Sequence, residues 1–156
     1  MKYRMLTNEE QEIFDEDFKY FLITNGVTNE EWEEMNEGSS DKAKTLVEMF
    51  SDSVLQKVYE KIKFLEFRSK NSCLVFKLNE KEIELISLNG KKGIEVDLSS
   101  PENIHEILVN RPSSLTVFKT IKPFTKIRED EIHEMLEQGC LNSSEAFWTS
   151  LLKIIE

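Results

Sequence analysis

Residues 41–68 read DKAKTLVEMFSDSVLQKVYEKIKFLEFR, a stretch with neither Gly nor Pro. Its apolar residues Val47, Phe50, Val54, Val58, Ile62 and Leu65 recur in steps of three and four, with Leu55 and Tyr59 widening the stripe. That spacing predicts one long central helix, about 40 Å at roughly 1.5 Å per residue, with a single apolar face. Alone it would expose that face, so the remainder of the chain is expected to cover it.

The segment before it is built from helix signals. Thr7 and Glu10 form a capping-box pair, and Ile13, Phe14, Phe18, Phe21 and Leu22 are predicted to form the inward face of a first helix that stops at Asn25-Gly26. Thr28 and Glu31 repeat the box for a short second helix with Trp32 and Met35 as inward anchors. Gly38-Ser39-Ser40 breaks the pattern, and Ser40 is placed to cap the central helix. Residues 1–70 thus read as a three-helix unit.

After Ser69 the period changes from 3.6 to 2. Cys73 to Leu78 and Ile83 to Leu88 are strand-like, joined by a short Asn79-Glu80-Lys81 link. Asn89-Gly90 is a turn signal, Gly93 to Asp97 a third alternating strand, and Leu115 to Ile121 a candidate fourth. Ser99-Ser100-Pro101 opens a short helix ended by Arg111-Pro112. Residues 71–121 therefore form an antiparallel meander with one helix. Residues 122–156 read as a closing helical hairpin: Ile132, Met135 and Leu136 line its first helix and Gly139 ends it. Asn142 or Ser143 caps the second, which Phe147, Trp148, Leu151, Leu152 and Ile155 line. The expectation is one α+β domain over residues 1–156.

Charge is distributed unevenly. The chain carries a net −10, and residues 8–37 hold eleven acids against the single base Lys19; the other 126 residues balance. A locally acidic segment repels phosphate and anionic lipid and attracts a basic partner. Trp32 stands inside the cluster Glu30, Glu31, Glu33 and Glu34, an aromatic anchor within a charged rim, which is a pattern of binding surfaces. An acid-free basic stretch is FKTIKPFTKIR, residues 118–128, where Lys119, Lys122, Lys126 and Arg128 interleave with Phe118 and Phe124. Bases beside aromatics grip phosphates and stack nucleobases. The last helix carries only Lys153, a poor recognition helix for a duplex groove.

Other chemistry finds little footing. His105 and His133 each have a glutamate one helical turn away (Glu102 and Glu137), without the two-histidine spacing of a zinc site. Cys73 and Cys140 have no paired spacing and read as small packing residues, and no serine sits in a GxSxG elbow. The acids do not alternate around a glycine as in a calcium loop, and the glycines are too scattered for a phosphate loop. No catalytic residue, metal or cofactor is therefore assigned. Neither a signal peptide nor a run of ~20 apolar residues is present, so the expected location is the cytoplasm, away from membranes.

Taken together, MKYR-x-LT-x-EE (Met1 to Glu10), FxxFL (Phe18 to Leu22), Trp32, Phe50-Ser51-Asp52, Leu65 to Ser69, Phe76-Lys77 and Leu136 to Gly139 resemble an uncharacterised bacterial family of short acidic proteins. The resemblance spans nearly the whole chain. It implies a bacterial single-domain protein, without assigned catalytic residues. The functional expectation is a non-enzymatic adaptor or regulatory protein whose acidic helices engage a basic protein partner. The alternative is a nucleic-acid- or ribosome-associated factor using the strip Lys119 to Arg128.

Overall fold

The computed structural model describes residues 1–38 and 40–155. Ser39, part of the expected break before the central helix, and Glu156 lie outside them. The chain forms two compact units, Met1–Glu60 and Lys61–Glu156.

The first unit is helical: α1 (Asn8–Ile13), α2 (Asp15–Thr24), α3 (Asn29–Glu37) and α4 (Asp41–Lys61). The Thr7–Glu10 box is complete, with Glu10 N–H donating to Thr7 Oγ1 at 3.2 Å and Thr7 N–H to Glu10 Oε1 at 2.9 Å. Thr28 makes only its own half, accepting from Glu31 N–H at 3.1 Å. Ser40 caps α4 through Ala43 N–H at 3.1 Å, and Gly26 takes the left-handed conformation (φ 75°) that ends α2. The expected single first helix is divided at Phe14 (φ −99°, ψ 19°), so α1 and α2 do not share one phase.

The central helix ends at Lys61 rather than Arg68, and its buried face is Ala43, Leu46, Phe50, Ser51, Leu55 and Tyr59. Beyond Phe50 this face is centred on the expected flank, Leu55 and Tyr59, about one residue and roughly 100° from the expected centre; Val54 is only partly buried and Val58 is 39% exposed. The chain's first residues explain the shift. Lys2 and Tyr3 N–H groups bond the Asp52 carboxylate at 2.7 and 2.8 Å, and Leu6 N–H donates to Ser51 Oγ at 3.2 Å. The Tyr3 ring meets Tyr59 edge-on at 5.0 Å. A serine thus belongs to the buried face because it satisfies a buried backbone donor.

The second unit is an antiparallel sheet in the order β4-β3-β2-β1-β5. Its strands are β1 (Phe64–Arg68), β2 (Ser72–Leu78), β3 (Glu82–Gly90), β4 (Leu115–Pro123) and the two-residue β5 (Leu141–Asn142). The tail of the expected central helix is therefore β1, pairing Phe64 with Lys77 through Arg68 with Cys73. Five residues are too few for period 2 and period 3.6 to be told apart, and the free edge of β2 decides.

Residues 93–97 are not the third strand. β3 runs through the expected turn to Gly90 and pairs with β4 along its whole length, Glu82 with Pro123 through Gly90 with Leu115. Gly90 is required by close approach, since a Cβ there would lie 2.5 Å from Val96 Cγ2. The segment after it turns back at Gly93 (φ 83°) and contributes Val96 and Leu98 to the core.

That core joins Cys73, Val75, Ile86 and Leu88 of one sheet face to Ile104 and Ile107 of α5 (Pro101–Asn110) and to Trp148 and Leu151 of α7 (Glu145–Ile155). Leu74 and Phe76 alternate onto the other face, where they line a cleft with Met135 and Gln138 of α6 (Arg128–Glu137). The two closing helices follow in the expected order. β5 lies between them, with Asn142 opposite Leu65, and Ser144, one residue beyond the expected caps, accepts Phe147 N–H at 3.1 Å.

Candidate functional site

The acidic segment occupies α1, α2 and α3. Their inner faces meet in a cluster of Leu22, Val27 and Leu46, against which Phe18, Phe21, Trp32 and Met35 pack. Trp32 is consequently not an anchor standing free among acids. Its ring meets Phe18 edge-on at 5.0 Å, Phe18 lies 5.0 Å from Phe50, and Trp32 is partly buried. The four acids around it, Glu30, Glu31, Glu33 and Glu34, are exposed.

Few of the eleven acids are neutralised. Arg4 pairs with Glu10 at 2.7 Å, and Lys19 with Asp15 at 3.2 Å and Glu16 at 3.5 Å. Hydrogen bonding from the Arg4 guanidinium is the largest influence on Glu10, and its carboxyl falls from 4.5 to about 2. Among the described residues no ion pair reaches Glu9, Glu12, Asp17, Glu30, Glu31, Glu33, Glu34 or Glu37.

Within this acid shell the structure exposes three large apolar side chains: Ile13 (75%), Tyr20 (70%) and Ile23 (66%). Ile13 was expected inside; the division at Phe14 carries it outward. Tyr20 and Ile23 stand three apart on α2, on the side occupied by Glu16 and Asp17 and away from Phe18, Phe21 and Leu22. The sequence held this signal, because Tyr20 and Ile23 fall out of phase with Phe18, Phe21 and Leu22, of which Leu22 is buried and the two rings partly so.

The basic strip does not form one surface. Lys119 and Lys122 are three apart on β4, so strand alternation sends them to opposite sheet faces, opposite Ile86 and Ile83 in the register. Lys119 is bound to Glu84 at 2.9 Å, and that bond, then one from Asn79 Nδ2, holds the Glu84 carboxyl below its usual range. Lys126 pairs with Glu134, which raises the lysine's pKa. Arg128 is a clamp on the backbone: it donates to the carbonyls of Asn79 (3.0 Å), Leu78 (3.1 Å) and Ile62, and pairs with Glu129 at 3.1 Å. Only Lys122 of the four is without an ion pair among the described residues, and it shares its sheet face with the half-exposed Phe118. Lys122 and Lys126 also line a cleft of about 390 Å³ floored by Phe67, Phe76 and Met135.

Neither cysteine is activated. Burial, reinforced by the nearby Glu66 charge, pushes the Cys73 thiol up to about 12, and burial raises Cys140. His105 and His133 stand on different helices, α5 and α6. Among the described residues no group of three His, Cys, Asp or Glu is arranged to hold a metal ion, and no helix is long and apolar enough to cross a membrane.

No curated protein and no solved structure matches the chain. A family model does, over residues 1–156. The chain belongs to the family of unknown function DUF6495.

Proposed function

We propose that this is a non-enzymatic interaction protein, adaptor or regulator, whose acidic N-terminal helices engage a basic protein partner. The observation that carries the reading is an apolar ridge, Tyr20 and Ile23, exposed beside Glu16, which shares Lys19 with Asp15, and Asp17, which no ion pair reaches among the described residues. An aromatic with an aliphatic neighbour supplies the desolvated centre of an interface, and the acids supply steering and register. A second copy would bring the same negative charge to the contact, so charge complementarity favours a partner of opposite sign. The same reading sets the protein in a bacterial cytoplasm, where two unpaired cysteines suit a reducing compartment.

The test is a pull-down from native cytoplasm with the full chain, with and without nuclease, repeated with Tyr20→Ala and with Glu30, Glu31, Glu33 and Glu34 changed to Gln. The partner should survive nuclease and weaken in high salt, and both variants should lose it. Partners that vanish with nuclease, or depend on Lys122→Glu instead, would favour the nucleic-acid reading, narrowed to Lys122 and Phe118.

A further inference from the structure

Strand alternation puts Glu66 and Arg68 on the sheet face that elsewhere carries Val75, Ile86 and Leu88. Glu66 is 9% exposed, and its Oε2 lies 2.6 Å from Arg68 Nε. The pair is close but poorly aligned, for Arg68 Nε is buried without a hydrogen bond. Well-packed apolar residues at such positions are generally at least as stabilising as a buried ion pair. Fold stability therefore does not account for a carboxylate here.

The same carboxylate lines a cleft of about 340 Å³ between α5 and α7, walled by Ile104, Leu108 and Phe147. This size and lining suit a small molecule: concave, mostly apolar, with few polar groups. Each hydroxyl in the cleft makes one bond to the backbone of α7 or its cap. Ser144 Oγ accepts from Phe147 N–H at 3.1 Å, and Ser150 Oγ donates to the Ala146 carbonyl at 2.9 Å. Among the described residues Glu66 is paired with Arg68 alone, through Oε2, which leaves Oε1 as the charged acceptor with spare capacity. No lysine or arginine is among the described residues lining the cleft, whose titratable groups are the Glu66 carboxylate, with Arg68 behind it, and the His105 imidazole.

We propose that this cleft binds a small apolar amine, its alkyl or aryl body against Ile104, Leu108 and Phe147 and its ammonium donating to Glu66 Oε1. An ammonium supplies both the donor and the opposite charge, and a carboxylate of the same shape supplies neither. The site is independent of the acidic helices, since every residue it uses lies in the second unit.

The experiment titrates the isotope-labelled full chain with phenethylamine and, separately, with its isosteric anion hydrocinnamate, followed by NMR. Phenethylamine should shift the resonances of Ile104, Leu108 and Phe147 saturably, and hydrocinnamate should not. Glu66→Gln should weaken the amine about tenfold or more, as loss of a charge-assisted bond does. Leu108→Trp, which fills the cleft without touching the ion pair, should abolish the shifts. Equal binding of amine and anion overturns the proposal, as do shifts confined to residues 8–37. Undiminished affinity in Leu108→Trp overturns it too, and that variant decides if Glu66→Gln does not fold.

Discussion

The backbone N–H of Tyr3 donates to Asp52 Oδ1 at 2.8 Å, tying the start of the chain to the longest helix across 49 positions. The other carboxylate oxygen takes Lys2 N–H at 2.7 Å, so one side chain holds two successive donors. Asp52→Ala should therefore cost about 2–3 kcal/mol in urea denaturation, the range for hydrogen bonds to a charged group. It should also admit protease cleavage after Arg4. A variant as stable and as resistant as the parent would show that the segment is held by its apolar contacts alone.

Trp32 and Tyr20 should part company. Trp32→Ala removes a ring packed edge-on against Phe18 and should destabilise by about 2–4 kcal/mol. Tyr20→Ala, at a position 70% exposed, should change stability by no more than about 0.5 kcal/mol while weakening partner capture. Thermal melts of both variants beside the pull-down separate core from surface; a large stability loss in Tyr20→Ala would remove its assignment to the interface.

The Arg4–Glu10 pair should appear as an acid-range dependence. Glu10 titrates at about 2 in the folded protein and near 4.5 when unpaired, so its contribution is fully present above the higher value and is lost as pH falls toward the lower. The stability gap between the parent and Arg4→Met should accordingly close between pH 4.5 and 2. Urea midpoints across that range check it, and a gap that stays constant counts against the pair.

Arg128 and Lys122, neighbours in the basic strip, should respond oppositely. Arg128→Lys cannot reproduce the fork that reaches three carbonyls and should cost about 2–3 kcal/mol despite keeping its charge. Lys122→Glu, at an exposed position without an ion pair, should leave stability within about 0.5 kcal/mol. Denaturation curves decide, and equal losses in the two variants would contradict the division of the strip.

By itself the sequence determined the features whose causes are local. The Thr7 and Ser40 caps, the left-handed Gly26, the Asn79 to Lys81 hairpin and the order of helices, sheet and helices all follow from residues within a few positions of one another. The localisation of net charge in residues 8–37 is equally a property of the sequence. Tertiary structure decided whatever depends on a distant partner. Phe64 to Arg68 is a strand because β2 offers an edge, and α4 turns its Ser51 and Tyr59 inward because residues 3 and 6 lie against them. Residues 93–97 stay out of the sheet because β4 claims the edge of β3. The four bases of residues 119–128, contiguous in sequence, are separated by strand alternation and by Glu84, Glu134 and three carbonyls that no local pattern could announce. Local propensity sets which conformations a segment can take; the distant groups that satisfy its backbone and charges select one of them.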